Sequence, residues 1–396
     1  MNNVGGFSSK TSFLMYDGTV KKTKHINVDD ELMCPSGKPT IINEISRVKK
    51  DMYTITSVKG TSYTVPEDHV LMLKVSSAGV SWSSRNKAYI VEWLEGFTRK
   101  RKSFTEYAFG SKENAYKPAQ KFLNNVLPQN ENYTKNNDIV KISVKDYIKL
   151  SKRMRRLYKG FSSGIKFNEQ DIKIDPYILG YWLRDGTSRD TGITTAEPEI
   201  VEYFENFAEE HKLFFNRQGK NKYAYKVSGS GRPGGNLFMN FLRENNLIYN
   251  KHIPDVYKFN SKENRLKLLA GLVDSDGHLG RGNCYDFIFK SEKLADDIIF
   301  LARSLGFKAF KKTVQKTCTN SANGCVTGTY FRFCIYGKGL HRIPSILERK
   351  MASKRTQKKN ASVTGITIAY AGRKDCYEFK FSSKKILLED FTIVHK

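Results

Sequence analysis

The acidic residues at the end of one apolar segment are the side chains in this sequence that most clearly could do chemistry. The segment LLAGLVDSDGHL, residues 268–279, begins as an apolar, small-residue run of helical character and then reaches Asp274 and Asp276. The C-terminal end of a helix carries a partial negative charge and favours cations. An acid at this position therefore calls for a compensating positive charge, which a bound cation could supply.

The same pattern occurs once more, earlier in the chain. The segment DPYILGYWLRDGTS, residues 175–188, is also apolar, contains a glycine and ends in Asp-Gly, so that Asp185 matches Asp276 at a distance of 91 residues. In both places a strand-like region, a helix and basic strand-like material follow. An Ile-Pro pair then closes each copy, 69 residues after Asp185 and 68 residues after Asp276. The matched spacing indicates an internal repeat.

Two segments of this kind would pack as a pair of helices. Gly180 and Gly271 carry no side chain, so the two backbones could approach closely. Asp185 and Asp276 would then lie together at the base of the pair, among backbone carbonyls. Like charges at that distance must take up a proton or bind a cation, and all-oxygen ligation suits Mg²⁺, for which Mn²⁺ could substitute.

The glycines after the acids support this interpretation only in part. Gly186 and Gly277 are expected to take the left-handed conformation that ends many helices. Asp-Gly is also common in hairpin turns, and DSDG resembles the start of a calcium loop, although glycine comes too early for an EF-hand. Because both acids recur at one position of the repeat, metal-binding carboxylates remain the favoured interpretation.

The net charge points to a polyanionic partner. The chain has 67 lysines and arginines against 40 aspartates and glutamates, a formal net charge of +27 and a sequence pI of about 9.7. Nucleic acid is the usual partner of such a surface, and a basic face that is merely solvated is the alternative. Binding to an acidic membrane is less expected, because no basic amphipathic helix with a clear apolar face stands out.

Paired metal-binding acids on a basic protein indicate phosphodiester hydrolysis. Two similar halves suit duplex DNA, whose strands are themselves related by a twofold axis. Lysines near the acids could polarise water or neutralise charge in the transition state. Lys251, in the segment NKHIP, is the first candidate, although an ordinary surface lysine is the alternative.

The fold class predicted from the sequence is α+β, with an all-β domain interrupted by a duplicated α/β-rich domain. Residues 1–85 and 361–396 have short alternating strands and turns. Residues 166–360 contain the repeats, at about 175–254 and 266–344, each an αββαββα half related to the other by a pseudo-twofold axis. Residues 86–165 interleave lysine and arginine with tyrosine and phenylalanine and are interpreted as a basic DNA-recognition insertion. Its candidate DNA-binding residues are Arg99, Lys100, Arg101, Lys102, Arg153, Arg155 and Arg156.

Cysteine spacing and hydropathy exclude several other classes. The six cysteines contain no Cys-x-x-Cys pair, which argues against a zinc finger and leaves reduced thiols as the expectation. No apolar run has the length of a transmembrane helix, and the first residues do not read as a signal peptide. The expected location is intracellular, in the nucleus or wherever the target DNA resides. The segment KRTQKK is either an import signal or a phosphate-contacting patch.

These motifs resemble a known family. LLAGLVDSDG closely resembles the second signature of the LAGLIDADG homing endonucleases, and ILGYWLRDGT resembles the divergent first signature of intein-encoded members. The resemblance implies that Asp185 and Asp276 bind the metal and that Lys251 assists catalysis. A second lysine is implied after the second repeat; Lys350 is our choice, with Lys354 close behind.

The resemblance also implies how the enzyme would act. Curved sheets of the two halves would lie in the DNA major groove, and each half of a monomer would cut one strand of a long double-stranded site, leaving short 3′ overhangs. Arg184 departs from the glycine that usually precedes the first acid, so looser packing is expected there.

The ends of the chain resemble an intein splicing domain of the hedgehog/intein (Hint) type. FSSKTSFLMYDGTVKKTKHINVDDELM resembles its opening block, TSYTVPEDHVLMLK its second block and YEFKFSSKKILLEDFTIVH its closing blocks. Alignment of the opening block places Gly6, which has no nucleophile, at the position where splicing begins. Pro66 replaces the threonine that usually precedes the block-two histidine, His69.

At the other end His395 is retained, but Lys396 stands where an asparagine must cyclise, so splicing is not expected. Two origins stay open: a free-standing endonuclease derived from an intein, or an intein trimmed or mutated at its junctions. Two rival functions stay open as well. One is a self-processing protein, and the other is a DNA- or RNA-binding protein that no longer cleaves.

Overall fold

The protein folds into two compact units in a computed structural model. The first unit comprises Met1–Cys34, Pro39–Ser162 and Val363–Lys396, and the second comprises Pro35–Lys38 and Ser163–Ser362. Both helices and strands are present, so the predicted α+β class is confirmed. The structure describes residues 6–75, 79–95, 98–126, 139–231, 234–321, 324–354 and 360–395.

The first unit consists mainly of β-strands. Its strands are β1 (Gly6–Ser8), β2 (Ser12–Leu14), β3 (Val20–Lys22), β4 (Glu31–Met33), β5 (Pro39–Ile41), β6 (Glu44–Ser57), β7 (Tyr63–Pro66), β8 (Val70–Val75), β9 (Gly79–Ser83), β10 (Ala88–Glu95), β11 (Thr98–Thr105), β12 (Ile139–Ser143), β13 (Tyr158–Phe161), β21 (Val363–Lys380), β22 (Lys385–Leu387) and β23 (Ile393–His395). Its helices are α1 (Glu106–Phe109), α2 (Lys112–Val126), α3 (Val144–Lys149), α4 (Lys152–Arg155) and a 3₁₀ turn at Thr23–His25.

A seven-stranded sheet organises this unit. Its order is β12-β8-β13-β21-β6-β7, with β1 also paired to β21. The long strands β6 and β21 pair antiparallel along most of their length. Apolar residues distant in sequence, including Phe7, Leu73 and Phe379, form one buried core. The beginning and the end of the chain therefore contribute to one folded unit.

A smaller sheet in the same unit has its own core. Strands β9, β10 and β11 form an antiparallel sheet, against which α2 packs. Val91, Phe104 and Leu123 are buried between the sheet and the helix.

The predicted insertion at residues 86–165 does not form one separate region. Strand β12 pairs with β8, and β13 pairs with both β8 and β21, so residues 139–161 belong to the large sheet. The role of this range in DNA recognition stays a prediction.

The second unit alternates helices and short sheets. Its helices are α5 (Pro176–Asp185), α6 (Pro198–Glu210), α7 (Leu237–Glu244), α8 (Asp255–Lys258), α9 (Lys262–Asp276) and α10 (Glu292–Ser304), with 3₁₀ turns at Leu340–Arg342 and Glu348–Lys350. Its strands are β14 (Gly192–Thr194), β15 (Phe214–Arg217), β16 (Ala224–Ser228), β17 (His278–Gly280), β18 (Cys284–Phe289), β19 (Lys312–Ser321) and β20 (Gly324–Ile335).

The two predicted repeats have related but unequal elements. The second has two strands, β17 and β18, between its first two helices, whereas the first has β14 and an isolated bridge between Gly186 and Ile193. Helix α7 of the first repeat corresponds in order to the 3₁₀ turn at Leu340–Arg342. Three strands form the first sheet, β14-β16-β15, and four form the second, β17-β18-β20-β19.

Two further features bear on the class of protein. No helix in the described part of the chain is long and apolar enough to cross a membrane. Among the described residues, Cys34, Cys284, Cys334 and Cys376 are free thiols.

Candidate active site

Helices α5 and α9 begin at side-chain caps. The Asp175 carboxylate accepts hydrogen bonds from the backbone N–H of Tyr177 at 2.8 Å and of Ile178 at 3.2 Å. The Ser261 hydroxyl accepts one from Asn264 N–H at 3.3 Å. Because both helices begin with defined caps and end at an aspartate, their lengths fix the positions of Asp185 and Asp276.

Two glycines allow these helices to pack backbone against backbone. A Cβ atom at Gly180 would lie 2.2 Å from the Leu268 carbonyl oxygen, and one at Gly271 would lie 2.2 Å from the Tyr177 carbonyl oxygen. Real Cβ atoms do not approach backbone so closely, so any larger residue would push the helices apart. The close approach expected from the sequence is present.

The predicted left-handed caps are wrong. Gly186 has φ −76° and ψ 155°, and Gly277 has φ −67° and ψ 124°, which is extended backbone open to other residues. The reason for glycine is space. A Cβ at Gly186 would lie 2.4 Å from the Trp182 carbonyl oxygen, and one at Gly277 would lie 2.8 Å from that of Val273.

Asp185 is a half-buried acid at the end of α5. Burial raises the pKa of its carboxyl, and the charge of Asp276 raises it further, although Arg184, Lys350 and Lys251 oppose both effects. The two acids therefore lie close enough to repel each other. This is the electrostatic situation in which a carboxylate pair favours a cation.

Asp276 has a direct cationic partner. Arg184 donates from Nη2 to Asp276 Oδ2 at 2.6 Å and from Nε to the same oxygen at 2.7 Å. The Arg184 guanidinium also lies 5.3 Å from the centre of the Phe289 ring. The looser packing predicted at Arg184 is wrong, because this side chain joins the end of α5 to the end of α9.

Lys251 lies against the last turn of α5. Its ammonium donates to the carbonyl oxygens of Trp182 at 2.9 Å and Gly186 at 2.6 Å, and lies 4.8 Å from the Trp182 ring centre. Burial lowers the pKa of Lys251 to about 8, with Asp185 opposing the shift and Arg184 adding to it.

Lys350 makes the corresponding contact at α9. Its ammonium donates to the carbonyl oxygens of Val273, Asp274 and Ser275 at 3.0, 2.7 and 3.1 Å. The side chain is buried, and burial lowers its pKa, helped by Arg349 and opposed by Asp274 and the two site acids. Lys354, the second choice from the sequence, is exposed.

The two lysines answer the question raised by acids at helix C-termini. Each ammonium satisfies carbonyls of one final turn and places a positive charge at the negative end of that helix. They reach equivalent places from different sequence positions, since Lys251 precedes its Ile-Pro pair and Lys350 follows its own. The negative charge at these two helix ends is thus compensated in the first place by lysine side chains of the protein.

Sequence reasoning missed the role of Asp274. This acid is buried, and its carboxylate accepts hydrogen bonds from the Tyr177 hydroxyl at 2.8 Å and from Ile346 N–H at 2.7 Å. The Ser345 hydroxyl donates to its other oxygen. Asp274 therefore ties α9 to α5 and to the segment after the second Ile-Pro pair. The only signal in the sequence was its position about one helical turn after Gly271, the residue at which α9 meets α5.

The donors at the base of α5 and α9 fit a hard cation. Asp185 and Asp276 offer carboxylate oxygens, the ligand type that Mg²⁺ prefers. No group of three or more His, Cys, Asp or Glu side chains is placed to hold a metal within the described residues. A cation here would thus rest on two carboxylates, with its other ligands from water or a phosphate.

The candidate DNA-binding residues of the first unit separate into different roles. On β11 the side chains alternate, so Lys100 and Lys102 share the face that α2 covers while Arg101 points to the opposite face. Lys102 Nζ lies 4.4 Å from the Phe122 ring centre. The side chain of Arg99 lies outside the described part of the chain.

Arg155 contacts the backbone at the end of α3, and its role in DNA binding stays a prediction. Its Nε donates to the Leu150 carbonyl oxygen at 2.8 Å and its Nη2 to that of Ile148 at 2.9 Å, so it satisfies the end of α3. Arg153 and Arg156 are exposed. Neighbouring arginines in a basic run therefore have unlike surroundings, which composition could not distinguish.

The residues aligned with a splicing centre lie in the first unit and are closely packed. A Cβ at Gly6 would lie 2.0 Å from the Cys376 Sγ atom, so that thiol occupies the space of a side chain at position 6. Burial raises the pKa of Cys376 to about 12. His395 is retained at the end of β23, and Lys396 lies outside the described residues.

His69 is deeply buried in this cluster. Its ring packs edge-on against Phe7, and no described residue bonds to its Nδ1 atom. Burial lowers the pKa of His69 to about 3, with His395 adding to the shift and Asp68 opposing it. A histidine this far from its ordinary pKa is held neutral at physiological pH.

One family model matches nearly the whole chain. The family model described as Hom_end-associated Hint matches residues 6–395, and the chain belongs to this family. The predicted relationship to intein-type homing endonucleases with a Hint domain is thereby confirmed. The signature assignment of the two α5 and α9 segments stays a prediction.

Individual relatives match parts of the chain. The replicative DNA helicase DnaB of Mycobacterium intracellulare is 30% identical over 179 residues, which is 44% of this chain and 27% of the relative. The homothallic switching endonuclease of Saccharomyces cerevisiae is 25% identical over 221 residues, 45% of this chain and 38% of the relative. The aligned segments thus span well under half the length of these curated relatives.

Two solved structures are similar to parts of the chain. One of mesophilic variants of the homing endonuclease I-DmoI has a TM-score of 0.30 at 13% identity and covers 45% of this chain and 95% of that one. The gp41-1 intein has a TM-score of 0.17 at 17% identity and covers 26% of this chain and 85% of its own.

Proposed function

We propose that this protein is a site-specific, metal-dependent endonuclease that cleaves both strands of a long duplex DNA target. The observation that carries the proposal is the meeting of Asp185 and Asp276 at the ends of two helices in backbone contact, with Lys251 and Lys350 beside them. Paired acids with flanking cations suit the hydrolysis of a phosphodiester. The endonuclease named among the relatives supports the same activity.

Asp185 and Asp276 would hold the cation, Mg²⁺ in the first instance. When bound, it would activate water and stabilise the leaving oxygen. The raised pKa of Asp185 and the coupling of the two acids support this placement, because a cation relieves both the burial and the repulsion.

Lys251 and Lys350 are positioned to interact with the negative charge of a phosphate. Each ammonium is fixed by backbone carbonyls next to a site acid, so its place does not depend on substrate. A fixed positive charge would attract the phosphate and counter the negative charge that develops on its oxygens. The Lys251 pKa of about 8 leaves it mostly protonated at neutral pH.

The sheets of the second unit would read the DNA. In the second sheet Phe287, Phe289 and Phe333 face the helices, which leaves alternate residues on the open face. The open faces present polar and basic residues, among them Lys226 and Lys312. Two halves related by a pseudo-twofold axis within a monomer would match the twofold symmetry of a duplex.

Protein splicing is not part of the proposed function. Gly6 has no nucleophile, and Cys376 fills the space beside it. A DNA-binding protein without cleavage is the second candidate, and the Arg184–Asp276 ion pair favours it, because Arg184 already compensates one of the two acids.

Sequencing of the DNA ends left by purified protein tests the proposal. A genomic-scale library is incubated with Mg²⁺ and the protein, beside Asp185→Asn, Asp276→Asn and the matched control Asp296→Asn, an exposed acid of α10. Discrete sites with short 3′ overhangs are expected for the wild type and the control and no cleavage for the two site variants. Salt-sensitive binding without metal-dependent ends would instead establish the second candidate.

A further inference from the structure

One side chain on the open face of the second sheet is held in a fixed orientation. Arg332 on β20 pairs with Ile288 on the neighbouring strand β18, so Asp286 lies diagonally opposite it, two residues along β18. Arg332 Nε donates to both Asp286 oxygens at 3.1 Å, and its Nη2 donates to Asp286 Oδ2 at 2.6 Å. The Nε–Nη2 edge of the guanidinium therefore faces the carboxylate, and this geometry fixes the plane of the guanidinium.

Asp286 is itself held by its neighbours. The Cys334 thiol, directly opposite on β20, donates to Asp286 Oδ1 at 3.3 Å. His278 lies opposite Asp286 on β17. Burial raises the pKa of Asp286, but Arg332, Cys334 and His278 outweigh burial and the pKa lies below its ordinary value. The carboxylate is thus ionised and stationary beneath the arginine.

The outer end of Arg332 remains available. An arginine has five N–H donors, and the contacts with Asp286 use one on Nε and one on Nη2. The remaining three, on Nη1 and Nη2, have no partner within the described part of the chain. The Arg332 side chain is 52% exposed and that of Asp286 is 22% exposed. Arg332 is therefore held by Asp286 at one edge, while its Nη donors stay available to a ligand.

We propose that Arg332, oriented by Asp286, is a specificity-determining residue that reads one guanine in the half-site facing the second sheet. The inference rests on the proposed function, since it requires that this sheet enter the major groove. Guanine offers two acceptors, O6 and N7, at the spacing of the outer guanidinium donors. Lysine at position 332 would keep the positive charge but would lose the planar pair of N–H donors.

An ordinary cross-strand ion pair is the competing interpretation, and the chain contains a matched example. Arg47 on β6 pairs with Asp375 on β21 in the first unit, with the Arg47 side chain 61% exposed. If Arg332 served only to stabilise its sheet, loss of either pair would leave base preference unchanged.

Selection of bound duplexes from a randomised target library tests this role. Binding is measured without divalent metal and at one salt concentration, for the full-length wild type, Arg332→Lys, Asp286→Asn and Arg47→Lys. The wild type and Arg47→Lys are expected to prefer the same sequence. Arg332→Lys is expected to lose a preference of roughly 5- to 150-fold for one G·C pair and keep the others. Asp286→Asn is expected to weaken that same preference in part.

The outcomes separate the two proposals. If the wild type selects no sequence, the proposed function fails and this inference fails with it. If the wild type selects a site and Arg332→Lys retains every base preference, this inference alone is overturned. An equal loss at all positions would assign Arg332 to a phosphate and also overturn it. Thermal unfolding of each variant verifies that the sheet is intact.

Discussion

The two units each contain a cluster of buried ionisable groups, and the clusters differ in how charge is compensated. At the ends of α5 and α9 the acids have cations beside them, and Asp276 remains 37% exposed. Around Gly6 the groups are neutral and packed, with the Cys376 thiol where a nucleophile would stand and His69 held uncharged. The first cluster is thus charged and partly open, whereas the second is neutral and closely packed.

The comparison shows that the residues around Gly6 contribute to packing whether or not they have a reactive role. Phe7, His69 and Phe379 still form part of the core of the first unit or lie against it. These residues hold the two ends of the chain in one sheet, whether or not a bond is broken there. Retention of a histidine at such a position is therefore no sign of activity by itself.

The largest expected effect comes from separating α5 and α9. Gly271→Ala would place a methyl group 2.2 Å from the Tyr177 carbonyl oxygen, and the helices must move apart. We expect the free energy of unfolding of the second unit to fall by about 3 kcal/mol or more. Hydrogen exchange of peptides from residues 163–362 measures this.

Gly280→Ala is the control for this prediction. A Cβ at Gly280 would meet its nearest atom at 3.7 Å, an ordinary contact. A change below about 0.5 kcal/mol is expected there. Equal effects of the two variants would show that the helix contact does not organise the acidic site.

The next effect concerns the cation buried at α9. Lys350→Met would leave three backbone carbonyls without their donor, and we expect a loss of about 2–4 kcal/mol together with slower cleavage. Lys251→Met, which removes two such bonds, should cost less. Denaturant midpoints and cleavage rates measure the two effects.

Lys354→Met is the matched control, because Lys354 is exposed only four residues further on. It should change neither stability nor the rate of cleavage measurably. If Lys354→Met slowed cleavage while Lys350→Met did not, the assignment of the second lysine would be reversed.

The third effect tests whether the cluster around Gly6 is closed. Gly6→Ala places a methyl group against the Cys376 thiol, and we expect a loss of about 1–3 kcal/mol in the first unit. In the double variant with Cys376→Ala that loss should shrink, with a coupling of about 1 kcal/mol. Hydrogen exchange of peptides from residues 6–75 reports both.

Cys34→Ala serves as the control, since Cys34 is also a buried thiol of the first unit. Its combination with Gly6→Ala should be additive. Strict additivity with Cys376→Ala as well would mean that position 6 has room for a side chain, and the contrast between the two clusters would fail.

The sequence predicted the features that depend on local pattern. Glycines in apolar helices and acids at their ends identified the contact of α5 with α9 and the placing of Asp185 beside Asp276. Lys251 and Lys350 were named as candidates among 67 lysines and arginines, but the backbone carbonyls that they meet could not be predicted, because these contacts span long stretches of chain. The DNA-binding roles of Arg155 and of the other basic residues in 86–165 stay predictions, because a basic solvated face has the same composition whether or not it binds DNA.

The smallest effect depends on pH. His69 has a pKa of about 3 in the folded protein against about 6.5 in an unfolded chain, so below pH 6.5 the unfolded state takes up a proton that the folded state refuses. Stability of the first unit should therefore fall as pH falls from 6.5 towards 3, by up to about 2 kcal/mol between pH 6.5 and pH 5.

His69→Phe, which keeps an aromatic ring against Phe7, should flatten this part of the profile. His25→Phe, at an exposed position, should leave it unchanged. Hydrogen exchange of residues 6–75 at several pH values measures the slope. An unchanged slope in His69→Phe would mean that His69 is protonated in the folded state, and the cluster around Gly6 would then resemble the acidic site in admitting charge.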